Sequence, residues 1–161
     1  MMISVHLAGC IAALLLGGLV AWLPKGTPVH RLLGWCYVLA TVVYAGSALT
    51  IFPSTGHFTP FHAIAVQSFA LVGLGIGAAR AMSRCSTVWR VWHLRFMLYS
   101  YVALAATGFR FGLPYLAGGR AGPILVFTVV PACSWWWIEH RVVKRWRTRP
   151  PIPRPSSGFS S

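Results

Sequence analysis

Five apolar runs divide the chain, at about residues 3–23, 28–52, 60–82, 88–116 and 122–139, with short polar or breaker-rich stretches between them. Each approaches or exceeds the ~20 residues an α-helix needs to cross ~30 Å of hydrocarbon. The first run ends in Trp22, Pro24, Lys25 and Gly26, an interfacial aromatic followed by helix breakers. The second ends at Pro53 in the polar turn PSTGH, and the third in a basic loop with Arg80, Arg84 and Arg90. YLAGGRAGP separates the fourth from the fifth. Pro131 in the fifth run predicts a kink. That run closes on Trp135, Trp136 and Trp137, an aromatic belt, and is the weakest of the five spans. The pattern predicts an all-α integral membrane helical bundle over residues 1–147, with about five transmembrane helices: a four-helix core plus a peripheral fifth. The Pro/Ser-rich stretch 148–161 predicts a disordered cytoplasmic tail.

Composition points the same way. The 161 residues are 57% hydrophobic and 9% charged, with mean hydropathy +0.66, too apolar for an ordinary soluble domain. Glu139 is the single acidic side chain, and the net charge is +13. The cations sit in short clusters between apolar runs, which is a topology signal rather than a nucleic-acid footprint. Lys25 and Arg31 flank the first connection, and Arg80, Arg84, Arg90 and Arg95 flank the third. Arg141, Lys144, Arg145, Arg147, Arg149 and Arg154 follow the fifth run, and only Arg110 and Arg120 fall on the other side. The positive-inside rule then predicts the N-terminus outside and the C-terminus inside. The bilayer is the expected partner, with a membrane protein or a second copy of the chain as a further one.

Of the four cysteines, Cys10, Cys36, Cys85 and Cys133, none forms a C-x-x-C pair. LAGC at Leu7–Cys10 resembles a lipoprotein box, but its apolar region follows the site instead of preceding it. Cys85 lies in a basic loop that would lower its pKa. No H-E-x-x-H, G-x-S-x-G, Walker loop or acid pair is present, so hydrolase, transferase and pump chemistry have no motif to rest on.

The histidines are the candidate chemistry. His57 lies in a loop and His140 at the basic junction, where both read as solvated. His6, His30, His62 and His93 each lie near the start of one of the first four helices. The topology places His6 and His62 in the outer half and His30 and His93 in the inner half. Two such pairs in a four-helix bundle are the minimum protein contribution to two bis-histidine b-type haems, which need axial imidazoles and an apolar slot. Two stacked haems would conduct electrons across the bilayer. Thr27–Pro28 and Thr59–Pro60 read as N-cap and first helical residue, which makes His30 and His62 third helical residues near the positive end of the dipole. That field favours neutral imidazole, the metal-ligating form. The same placement points these side chains back toward the headgroups, so interfacial caps are the competing reading. His93 escapes that objection if its helix begins near Ser86. Arg31 and Arg95, beside the inner histidines, are candidate partners of haem carboxylates, and Arg110 at the outer end is a candidate anion site. Gln67 is the one amide inside a span. Gly73, Gly75 and Gly77, with Gly17, Gly18, Gly34 and Gly46, permit close helix packing or leave room for a flat ring.

Four stretches resemble a bacterial family of membrane proteins known as domain of unknown function 2306: HLAGCIAALLLGG, KGTPVHRLLGWCYVLA, FTPFHAIAVQSFALVGLGIGAAR and WHLRFMLYSYVALAATGFR. They cover nearly all of His6 to Arg110, and K-G-T-x-x-H-R-x-x-G is the most specific part. The resemblance implies a multi-pass protein of the bacterial inner membrane and supplies no activity. The arrangement of the histidines, not a motif, is similar to cytochrome b561-like di-haem proteins, whose ligands lie deeper in their spans. The leading expectation is therefore electron transfer through haem b. The alternatives are a cofactor-free membrane subunit or scaffold that packs against partners and lipid, and a small lipid- or quinone-binding protein using Arg110 and the outer histidines.

Overall fold

A computed structural model describes residues 2–50, 60–81, 86–112 and 128–147, and within these not the side chains of residues 60–61, 86–87, 110–112 and 146–147. Its elements are α1 (Met2–Trp22), α2 (Pro28–Thr50), α3 (Pro60–Ala81), α4 (Ser86–Gly112) and α5 (Val130–Trp137). The last of these runs on through a π-helical segment, Ile138–Val143, into a final turn, α6 (Lys144–Arg147). The protein is an all-α bundle, with no strand among the described residues. Three helical stretches, Met2–Trp22, Pro28–Thr50 and His62–Ala81, are long and apolar enough to cross a membrane. The tail 148–161, His57, Cys85 and the first part of the fifth run lie outside the described residues.

Many large apolar side chains point outward, although Tyr37, Tyr44, Val72 and Leu104 are in the core. On α1, Ile3, Leu7, Ile11, Leu15 and Leu19 recur every fourth residue and are exposed, Leu15 at 71%. On the opposite face Gly9, Ala13 and Gly17 are buried, Ala13 completely. The interior also holds Thr41, Ser47, Ser68 and Ser100. Small and hydroxyl residues inside and bulky aliphatics outside is the packing expected where the solvent is lipid, because burial of large side chains gains nothing over contact with acyl chains. Close approach follows. A Cβ on Gly9 would stand 3.0 Å from the backbone nitrogen of Tyr44, and one on Gly17 would collide with the Tyr101 ring.

The α1–α2 connection is stapled by its own side chains. Lys25 Nζ donates to the carbonyls of Val20 and Ala21, both at 2.8 Å, closing the C-terminus of α1. Gly26 turns the chain at φ 86°. Thr27 Oγ1 then accepts the backbone N–H of His30 at 3.1 Å, the expected N-cap, with Pro28 as first helical residue. The corresponding cap at Thr59 lies outside the described residues.

Helices α1 to α4 form an up-and-down square in which α1 packs on α2, α2 on α3, α3 on α4, and α4 returns to α1. The diagonals are therefore α1–α3 and α2–α4. A diagonal is spanned where Tyr37 on α2 meets Ser100 on α4, hydroxyl to hydroxyl, at 2.8 Å.

The fifth helical stretch packs on α4. Where the apolar pattern ends it at 139, the helix continues through Arg147. Hydropathy marks where charge begins, and charge does not stop a helix. The π winding stacks residues five apart, and Ile138 and Val143 are both buried in a cluster with Val91. Those contacts bring the basic end of this stretch beside the start of α4.

Candidate functional site

The four span histidines separate onto the two diagonals. His6 on α1 and His62 on α3 belong to one end, and His30 on α2 and His93 on α4 to the other. α4 begins at Ser86, which sets His93 two turns into its helix.

His30 and His93 line one cavity of about 610 Å³. This lies within the ~300–1,000 Å³ typical of small-molecule sites. Val20, Trp35, Ile76, Leu94 and Met97 supply apolar wall. Lys25, Arg31, Arg80 and Arg90 also line it, two flanking the α1–α2 connection and two flanking the α3–α4 connection. Burial pushes the Lys25 ammonium below its ordinary pKa. His30 thus turns inward despite its first-turn position, and its Nδ1 is buried without a hydrogen-bond partner. His93 is oriented from outside its own helix: Nδ1 lies 2.8 Å from the Gly75 carbonyl on α3. A carbonyl only accepts, so Nδ1 carries the proton, and in the neutral ring Nε2 is left with its lone pair. Metal-ligating histidines are held in this way.

His6 repeats the arrangement at the other end. Its Nδ1 lies 2.9 Å from the Tyr44 carbonyl and 3.2 Å from Ser47 Oγ. Nε2 faces Cys10 Sγ at 3.6 Å, one turn on along α1. His62 is 4% exposed on α3. Among the described residues no three His, Cys, Asp or Glu side chains cluster.

Arg31 lines the cavity. Arg95, expected to face a haem carboxylate, does not line it. Its Nε donates to Glu139 Oε1 at 2.9 Å, its Nη2 to Oε2, and its guanidinium lies 5.0 Å from the Trp92 ring centroid. Tyr99 Oη completes that cluster at 2.9 Å from Oε1. The opposite charge on the fifth helical stretch, 44 residues away, redirects the side chain. The Arg110 side chain lies outside the described ones. Gln67 and Gly73 are on the exposed face of α3, and His140 is exposed and stacked on Trp136. Lys25, Arg80 and Arg90 were missed as cavity residues, although their place at the helix ends was readable. The Cys10–His6 contact was also readable, from their i, i+4 spacing.

Comparison with protein-family models, with curated proteins and with solved structures gave no match.

Proposed function

We propose that the protein is a multi-pass membrane electron carrier that binds b-type haem. The observation that carries this reading is the convergence of His30 and His93 on one largely apolar cavity, with His93 held through Nδ1 so that Nε2 is available. A haem bound there would supply one-electron reduction and re-oxidation of its iron. The chain's own contribution is to aim two imidazoles, exclude water with the apolar wall and surround the opening with cations. At the other end His6, anchored on Tyr44, would pair with His62 once the weak Cys10 contact is given up. Helix α4 and the fifth helical stretch would cross alongside the three apolar spans. The inner bacterial membrane, with the cation-rich end facing the cytoplasm, fits the family resemblance and the grouping of Arg31, Arg80, Arg90, Lys144 and Arg145.

The test is a reduced-minus-oxidised spectrum of the protein purified in mild detergent after haem-sufficient expression. The α and Soret bands of a bis-imidazole b-type haem are expected. Their absence overturns the reading.

A cofactor-free subunit is the second reading. Gly73 and Gly77 have open space where a Cβ would stand and share the exposed face of α3 with Gln67. Such a face suits close packing against another membrane helix. A bound-haem spectrum that is absent, together with a stoichiometric partner or dimer lost in Gly73→Leu, would favour it.

A further inference from the structure

The cavity has a chemical polarity that two histidines do not explain. Its wall is apolar along Val20, Ile76, Leu94 and Met97, yet four cations line it as well. They flank two separate connections, Lys25 and Arg31 at the α1–α2 turn and Arg80 and Arg90 at the facing ends of α3 and α4. The Lys25 ammonium is not left to reach freely into solvent, because two bonds to the carbonyls of Val20 and Ala21 hold it in place. Like charges gathered around one opening raise its potential and focus it on an incoming anion. A buried ring nitrogen of His30 without a hydrogen-bond partner lines the same space.

We propose that this end of the cavity recognises the acidic head of an amphiphile, with Lys25, Arg31, Arg80 and Arg90 around the head and the apolar wall around the body. That the amphiphile is haem, with its two carboxylates as the head, rests on the function proposed above. That the head is acidic does not, since the phosphate of an anionic lipid has the same chemistry. Because the cations flank both connections, a bound head also ties the α1–α2 half of the bundle to the α3–α4 half.

The experiment uses the full chain in nanodiscs of zwitterionic lipid, titrated with haem and with haem dimethyl ester, in which both carboxylates are capped. The ester is expected to bind about tenfold or more weaker, the size of a charge-assisted contact. In the double variant Arg31→Gln/Arg80→Gln, haem affinity should fall toward that of the ester, ester affinity should stay, and the axial-ligand bands should not move. A second arm measures, by native mass spectrometry, the phospholipid that co-purifies with each protein. Retention of anionic lipid by the native protein and its loss from the double variant, with haem and ester bound alike or not at all, assigns the head to a lipid phosphate. If haem gives no bis-imidazole spectrum, the haem reading fails while this second arm still decides the present one. Equal binding of haem and ester, together with equal lipid retention by both proteins, overturns the proposal.

Discussion

His93 on α4 donates its Nδ1 proton to the carbonyl of Gly75 on α3 across 2.8 Å. The bond fixes the tautomer and the ring's direction from a neighbouring helix. It also turns the more reactive end of the imidazole, Nε2, away from the anchor. His6 on α1 and the Tyr44 carbonyl on the neighbouring α2 repeat the relationship at 2.9 Å at the other end of the bundle. If both ends hold haem, His93→Ala removes one haem's worth of absorbance and leaves the other. Pyridine haemochrome quantitation per mole of protein measures this. Loss of all haem would point to a single shared site, and loss of none would exclude His93 as a ligand.

Gly17 is a packing requirement. An added Cβ meets the ring of Tyr101 and stands 2.9 Å from Cε2 of Tyr37, and the Tyr37 ring is held in turn by Ser100. Neither ring can move without disturbing the α1–α4 contact or the diagonal bond. Gly17→Ala should cost about 1–3 kcal/mol, the usual range for overpacking. Thermal unfolding in detergent reads it as a lower midpoint. An unchanged midpoint would mean that the two rings repack freely.

Tyr37→Phe isolates the bond across the α2–α4 diagonal. Its loss does not leave Ser100 unsatisfied, because Ser100 Oγ also donates to the Met97 carbonyl at 2.8 Å. Interhelical hydrogen bonds in membranes average ~0.6 kcal/mol, so an effect of about that size is expected. A cost several times larger would show that the tyrosine hydroxyl does more than bridge the diagonal.

The helices, their order and the Thr27–Pro28 cap were legible because each depends on sequence-local physics: apolar run length, breakers and a side-chain oxygen three residues from an N–H. The end of the bundle at which each histidine sits was legible too, since it follows from counting antiparallel helices. Helix phase was not. In α1 almost every face is apolar, so the direction in which Gly9, Ala13 and Gly17 point is set by neighbours and not by amphipathicity. Arg95 was misplaced for a related reason. Its partner Glu139 is remote in sequence and sits on a helix whose extent the apolar pattern understated. The cavity that His30 lines is closed by residues of other helices, among them Ile76, Met97 and Tyr101, and no one-dimensional pattern carries that juxtaposition.

The Arg95–Glu139 pair attaches the fifth helical stretch to α4, and the two ways of breaking it should differ. Its side chains are 17% and 19% exposed, so the pair lies between a surface bridge, worth at most ~1 kcal/mol, and a buried one whose single-partner loss costs ~3–5 kcal/mol. Glu139→Gln keeps the shape of the side chain and leaves the Arg95 charge uncompensated, with a weakened contact to Tyr99. A loss of about 1–3 kcal/mol is expected, confined to this packing surface, because Ile138 and Val143 still bury against Val91. Amide exchange should accelerate over residues 130–147 and stay slow in α1 and α2. The double variant Arg95→Met/Glu139→Leu removes both charges and should recover most of the loss. Exchange that accelerates equally in both variants would mean that shape rather than charge compensation holds this stretch in place.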